Sequence, residues 1–383
     1  MKRLFIPLFL VALVVSSCAQ PVRPTTGADQ LDVLLAMITG KRVALMVNQT
    51  AVVGRTHLVD TLRSRGVNII KIFSPEHGFR GTADAGEKVL DGIDAKTGVP
   101  VVSLYGTNKK ATPEQMKDVD IVVFDIQDVG VRFFTYISSL HYLMEACAEN
   151  NKKVIVLDRP NPNGSYVDGP ILEPEQKSFV GMHPIPIVHG LTMGEYAQMI
   201  NGEGWLEGGR TCELAVVHLL GWKHADSYSL PIPPSPNLPN DHAIALYPST
   251  CLFEGTSFSV GRGTLNPFEL VGHPDMKDLA FTFTPVSIDG MAKEPKLQNV
   301  ECFGLDLRSE KPGQQVSLKH LIAMYQAFPE KEKFFISYFD KLAGNTMLKE
   351  QIKAGLTEEE IRNSWKPELS KYLTMREKYL LYP

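Results

Sequence analysis

Short, continuous apolar runs alternate with stretches in which apolar positions recur every three to four residues. The runs Arg42–Val47, Asn68–Phe73, Pro100–Leu104, Ile121–Phe124, Lys153–Leu157 and Ile185–Val188 predict strands. Between them, helical spacing predicts helices over Leu31–Thr39, His57–Arg65, Pro113–Lys117 and Tyr136–Ala148. The first two are closed by Gly40 and Gly66. Thr192-Met193-Gly194-Glu195 is a capping box that opens a further helix to Ile200. Strands without apolar–polar alternation are buried on both faces, so the pattern predicts a parallel sheet covered by helices, an α/β domain.

The regularity breaks at Pro231-Ile232-Pro233-Pro234-Ser235-Pro236-Asn237-Leu238-Pro239, where so many prolines exclude helix and interior strand. A semi-rigid linker or a shaped loop fits equally well. Beyond it, strand-like runs Ala280–Val286 and Val300–Leu307 precede helices near Leu318–Ala327, Met347–Lys353 and Thr357–Tyr372. The expected organisation is a larger domain over 28–243 and a smaller C-terminal α+β domain over 244–383.

The N-terminus follows another pattern. Lys2-Arg3 precedes an apolar stretch, Leu4 to Val15, too short for a comfortable membrane span, and Val15-Ser16-Ser17-Cys18 follows. This is an export signal over 1–17 ending in a lipobox-like run, which implies cleavage before Cys18, acylation of that cysteine and a tether over 18–27. Its removal takes the formal net charge from −4 to −6, which disfavours nucleic acid as a partner. Cys147, Cys212, Cys251 and Cys302 are 65, 39 and 51 residues apart and match no zinc pattern. The apolar helical setting of Cys147 suits a buried thiol.

Candidate chemistry follows the strands. Asn48-Gln49-Thr50, Ser74 to Gly81, Tyr105-Gly106, Asp125 to Arg132, Asp158 to Gly164 and His189-Gly190 all lie at carboxyl ends, which a parallel sheet brings to one edge. Neither GxGxxG nor a P-loop follows the first strand, so a dinucleotide or nucleotide cofactor has no support, and no HExxH-like spacing calls for a metal. Carboxylates with Asn and Gln amides suit a polyhydroxylated ligand such as a sugar. Glu76, after an apolar strand at a Pro-turn, is the candidate catalytic acid, unless it caps the turn or pairs with Arg80. Asp125 and Asp128 are candidates for the second carboxylate that glycoside hydrolysis uses, or ion-pair partners of Arg132. Asp158 with Arg159 reads as a local pair, and the loop through Asn161 as turn chemistry. His189, Tyr105 and Tyr136 suit core or rim positions. Glu254 and Arg262 count only if the second domain closes over the crevice.

The chain resembles the bacterial family first described as an uncharacterised domain and now known as exo-β-N-acetylmuramidases of the NamZ type. The resemblance runs over nearly everything after the tether. It rests on Ser74-Pro75-Glu76-His77-Gly78-Phe79-Arg80-Gly81, Asp125-Ile126-Gln127-Asp128-Val129-Gly130, Asp158-Arg159-Pro160-Asn161-Pro162, Pro234-Ser235-Pro236-Asn237, Glu254-Gly255-Thr256 and the ending Lys378-Tyr379-Leu380-Leu381-Tyr382-Pro383. It implies a Rossmann-like, doubly wound domain without a dinucleotide, a smaller C-terminal domain and an active-site cleft between them. The implied activity is release of N-acetylmuramic acid (MurNAc) from non-reducing ends of peptidoglycan fragments such as MurNAc-GlcNAc saccharides, with Glu76 matching the motif glutamate. The lactyl carboxylate of such a substrate calls for an arginine, with Arg132, Arg80 and Arg262 considered in that order. Asn48, Gln127, Asn161 and Asn237 would hold hydroxyls and the acetamido group. Tyr105 or Phe79 would stack on a ring, and His77, Asp158, Arg159, His189 and Glu254 would complete the binding set. The rival from another class is a lipid-anchored periplasmic receptor for a muropeptide or sugar; a metal-dependent esterase or amidase is a third reading.

Overall fold

The computed structural model describes residues 23–76, 78–80 and 91–383. The proposed signal and Cys18 lie outside the described residues, as does His77. Parallel strands β1 (Val43–Val47), β4 (Ile69–Ser74), β6 (Pro100–Ser103), β7 (Ile121–Asp125), β8 (Lys153–Leu157) and β9 (Glu213–Val217) form the central sheet. A small hairpin of β2 (Val52–Val53) and β3 (Thr56–His57) follows β1, and β5 (Gly92–Ile93) lies antiparallel on the β6 edge. The order β5-β6-β4-β1-β7-β8-β9 places the six parallel strands as 3-2-1-4-5-6, the Rossmann arrangement. Helices Leu31–Ile38 and Leu58–Ser64 cover one face, packing against Val43, Leu45 and Val47. Tyr136–Glu149 and Met193–Gly202 cover the other, against Ala44, Met46, Phe124 and Val154. The continuous apolar strands are thus buried on both sides, and the sheet is doubly wound as the resemblance implied.

One predicted strand is corrected. Ile185–Val188 is not in the sheet, because Pro184 and Pro186 deny it ladder donors. It is a buried loop in which Val188 makes isolated bridges to Val131 and Asp168. The sheet position belongs to β9, a half-exposed strand whose mixed sequence carries no clear signal.

The proline-rich segment is a shaped loop laid over the carboxyl edge of the sheet. Gln49 Nε2 donates to the carbonyls of Pro233 and Pro234 at 3.1 and 3.2 Å. Residue 244 falls within the helix Asp241–Thr250, so the chain passes into its C-terminal part through helix rather than linker. That part holds β10 (Leu270–His273), β11 (Phe281–Phe283) and β12 (Cys302–Asp306) in an antiparallel sheet, with helices Lys319–Ala327, Phe339–Ala343, Met347–Lys353 and Glu358–Glu377. One apolar cluster runs from Phe124 through Tyr247 and Phe258 to Trp365, joining both parts. The last helix opens on a capping box formed by Thr357 and Glu360.

Candidate functional site

In a Rossmann sheet the ligand crevice opens where the strand order reverses, here between β1 and β7. In this chain that crevice is filled by its own side chains. Asn48 Oδ1 accepts hydrogen bonds from the Thr50 backbone and hydroxyl, and Thr50 Oγ1 accepts from Gln127 N at 2.9 Å. Gln127 Nε2 donates to the carbonyls of Asp128 and Pro160. Arg159 grips the fully buried Asp125 on both oxygens, at 2.5 and 2.9 Å.

The open cleft lies to one side, between the loops after β4, β6 and β7 and the C-terminal part. One cavity of about 210 Å³ is walled by Phe133, Phe134, Tyr136, Phe179, Tyr247 and Phe268, with Glu76, Tyr105, Asn237, Glu254 and Arg262 among its polar lining. A second, of about 310 Å³, shares Glu76, Glu254, Arg262 and Tyr338 and adds Lys296. Glu76 is placed by the turn that ends β4. Tyr105, just past β6, donates its phenol hydrogen bond to Glu76 Oε1 at 2.7 Å, and the Thr135 hydroxyl stands 3.4 Å from Oε2. Burial first, and then the Glu76 charge, push the Tyr105 phenol well above its ordinary range, so it stays a donor at any physiological pH.

Glu254 sits in the tight turn Cys251–Gly255 that continues helix Asp241–Thr250. Arg262 Nε meets its Oε1 at 2.6 Å and Nη2 its Oε2 at 3.4 Å, while the guanidinium lies 4.9 Å over the Phe268 ring. Burial opposes the charge on Arg262, but facing Glu254 outweighs it and holds the group firmly cationic. Lys296 Nζ donates to the backbone carbonyls of Thr256 and Glu254. Asn237 Nδ2 donates to Met291 O at 2.7 Å, leaving its buried Oδ1 without a partner among the described residues.

Other candidates lie elsewhere. Arg132, the first choice for the lactyl carboxylate, is fully buried and donates to the carbonyls of Pro170, Ile185, Leu342 and Ala343 at 2.8 to 2.9 Å. Arg80 is bound to Asp94 at 2.8 Å and Asp60 at 3.4 Å, above the buried Phe79 ring. Asp125 pairs with Arg159 rather than Arg132. Asp128 is sealed in, its Oδ1 accepting from Gly130 N at 2.7 Å and lying 3.9 Å from His189 Nε2, and burial pushes its carboxyl up to about 7. Burial holds His189 neutral, down at about 3. Asn161 fastens Leu191 O and Asn163 N, and its amide presses on Gly130, where a Cβ would fall 2.2 Å from Oδ1. Asp158 accepts from Thr192, Gly194, Arg159 N and Tyr382; burial raises it to about 6. Asn48 lies one layer beneath the cleft, beside the buried Tyr136 phenol. Cys147, Cys212, Cys251 and Cys302 are buried free thiols. The aromatic wall from the second domain carried no sequence signal, whereas Phe133 and Phe134 directly follow the quoted 125–132 stretch.

Glu145, Glu149 and Glu207 are the carboxylates that lie close enough together for one metal ion among the described residues. Lys110 already reaches all three, at 2.8, 3.0 and 4.0 Å.

A sheet with its nucleotide crevice plugged, beside an aromatic-walled cleft bearing two carboxylates and an arginine, defines a two-domain α/β protein built around a cleft suited to a polar ring. Comparison with known proteins places it more closely: the chain belongs to the NamZ exo-β-N-acetylmuramidase family. Residues 43–242 match the N-terminal and 245–382 the C-terminal model of that family. The chain is 42% identical, over 95% of its length and 92% of the relative's, to the peptidoglycan β-N-acetylmuramidase NamZ of Bacillus subtilis. Crystal structures of two DUF1343 family proteins from Bacteroides fragilis superpose with TM-scores of 0.88 and 0.80. They are 45% and 31% identical, each comparison covering 94% of this chain and 99% of the other.

Proposed function

We propose that the protein is an exo-acting glycoside hydrolase that releases N-acetylmuramic acid from the non-reducing ends of peptidoglycan fragments in cell-wall turnover. The observation that carries this reading is Glu76 at the wall of an aromatic-lined cleft, in a chain related over 95% of its length to a peptidoglycan β-N-acetylmuramidase. Glu76 is the general acid. Tyr105 orients the carboxyl by donating to Oε1, with the Thr135 hydroxyl 3.4 Å from Oε2, and the carboxyl delivers its proton to the glycosidic oxygen. Glycosidic cleavage frees an alkoxide that would leave poorly without that proton.

Arg262 is the lactyl-carboxylate ligand. Its Nε and Nη2 edge holds Glu254, and Nη1 makes no hydrogen bond among the described residues. Lys296 adds positive charge on the same side. The unpaired Asn237 Oδ1 suits the N–H of the acetamido group or a ring hydroxyl, since an acceptor buried without a partner regains a bond when the sugar enters. The flat aromatic wall takes the apolar ring face.

Purified protein is expected to release free N-acetylmuramic acid from MurNAc-GlcNAc. Glu76→Gln is expected to abolish release while a chelator leaves it intact. Binding of the disaccharide with no turnover in the parent protein would favour the receptor.

The same reading puts the protein outside the cytoplasm. Lys2-Arg3, the apolar stretch and Val15-Ser16-Ser17-Cys18 support export and a lipid anchor on Cys18, which would hold the enzyme at a periplasmic membrane surface. Full-length protein is expected to partition into detergent and Cys18→Ala into the aqueous phase. Equal partition of both would remove the anchor.

A further inference from the structure

Among the described residues, two carboxylates line the joined cavities, and they come from opposite parts of the chain: Glu76 after β4, and Glu254 from the turn Cys251–Gly255. We propose that Glu254, held by Arg262, is the second catalytic carboxylate of the hydrolysis and takes the proton of the attacking water while Glu76 protonates the leaving sugar. This assignment rests on the hydrolase reading above and names the second group in its chemistry.

Three features of the site point the same way. The alternatives are withdrawn, Asp125 into its buried pair with Arg159 and Asp128 into a sealed position behind the loop. A guanidinium reaches both oxygens of Glu254, at 2.6 and 3.4 Å. Its position is also rigid. Gly255, the next residue, packs so closely that a Cβ there would lie 2.4 Å from Phe339 Cα, and Thr256 closes the turn with a 2.7 Å bond to Phe253 O. A carboxylate fixed in the wall of the cleft can meet the positive charge that develops at the sugar's anomeric carbon.

The grip of Arg262 also selects the role. A carboxylate held on both oxygens can accept a proton on a remaining lone pair with that contact intact, whereas bonding to carbon would draw one oxygen away from the arginine. In the step, the water oxygen bonds to C1 as the bond from C1 to the leaving oxygen breaks. That oxygen takes the Glu76 proton and Glu254 takes a proton from the water. One water is consumed, and solvent exchange returns both carboxyl groups to their starting states.

The test compares the parent enzyme with Glu254→Gln, Glu254→Ala and Glu76→Gln on MurNAc-GlcNAc and on 4-nitrophenyl β-N-acetylmuramide. Glu254→Gln is expected to keep its melting temperature and its binding of free N-acetylmuramic acid, and to lose about 10³-fold in kcat with KM changed by no more than about threefold. The aryl substrate, whose leaving group needs no acid, restores Glu76→Gln but not Glu254→Gln. Azide restores Glu254→Ala and yields the α-glycosyl azide, and the parent forms α-N-acetylmuramic acid first by proton NMR. Loss of less than about tenfold in kcat, loss confined to KM, a β-glycosyl azide or β-N-acetylmuramic acid as first product would each overturn the assignment. An inactive parent enzyme would instead bring down the hydrolase reading, and the assignment with it.

Discussion

Arg132 Nη2 donates to the carbonyl of Leu342 at 2.9 Å, across 210 residues of sequence, so the loop after β7 and the helix Phe339–Ala343 are fastened by one buried guanidinium. Its other bonds reach Pro170, Ile185 and Ala343, and Gly344 leaves the room it needs, since a Cβ there would sit 2.5 Å from Nη2. Arg132→Met would strand the buried carbonyls of Pro170, Leu342 and Ala343 and leave Ile185 O only its bond from Leu172 N, and Arg132→Lys cannot fork to reach them. Both are expected to lose roughly 3–5 kcal/mol in urea unfolding. Leu342 lines the cleft, so kcat is expected to fall as well.

Tyr105→Phe removes the donor to Glu76 Oε1 and little else. The expected result is a kcat lower by about 10- to 100-fold with KM nearly unchanged, because the lost bond orients the acid rather than the sugar. Steady-state kinetics on MurNAc-GlcNAc decides it; a loss confined to KM would place Tyr105 in binding instead.

Asp128 ties stability to pH. Its carboxyl ionises near 3.8 in the unfolded chain and near 7 in the folded one, so between these values the folded state binds more protons. Stability is therefore fully present below about pH 4 and declines as pH rises through about 7, by roughly 4 kcal/mol over the whole span for this group. Asp158, raised to about 6, adds a smaller decline of the same sign. Asp128→Asn is expected to flatten the profile between pH 4 and 7 in urea unfolding.

If Arg262 reads the lactyl acid, converting that acid to its amide should lower kcat/KM by about 10- to 100-fold for the parent enzyme. In Arg262→Gln the two substrates should converge. Persistence of the full discrimination in the variant would move carboxylate recognition to Lys296.

The sheet was legible because strands buried on both faces have no alternation to obscure them: Lys153–Leu157 is predicted and found with the same ends. β9 was not, because an edge strand with half-exposed positions reads like loop, while Ile185–Val188 is apolar for burial in a loop that its prolines keep out of the ladder. Around the site, the motif order led to Glu76 and to a cleft between domains. Which charged groups face it depended on contacts far apart in sequence. Arg132 turns inward because backbone carbonyls 38 to 211 residues away meet it there, and nothing local to Asp125 shows that Arg159 will claim it. Glu254 and Arg262 become part of the cleft only when the second domain packs against the first.

The 2.6 Å bond from the Tyr382 phenol to the buried Asp158 joins the carboxyl end of β8 to a residue 224 positions further along the chain. Tyr382 also accepts from the Leu219 backbone N–H at 2.9 Å, just beyond β9. During synthesis the Rossmann half therefore leaves the ribosome with an interior acid still short of a partner. Its final tightening waits until Tyr382 has been made, so loss of Tyr382 should be felt at the β8–β9 edge of the sheet, more than 150 residues upstream.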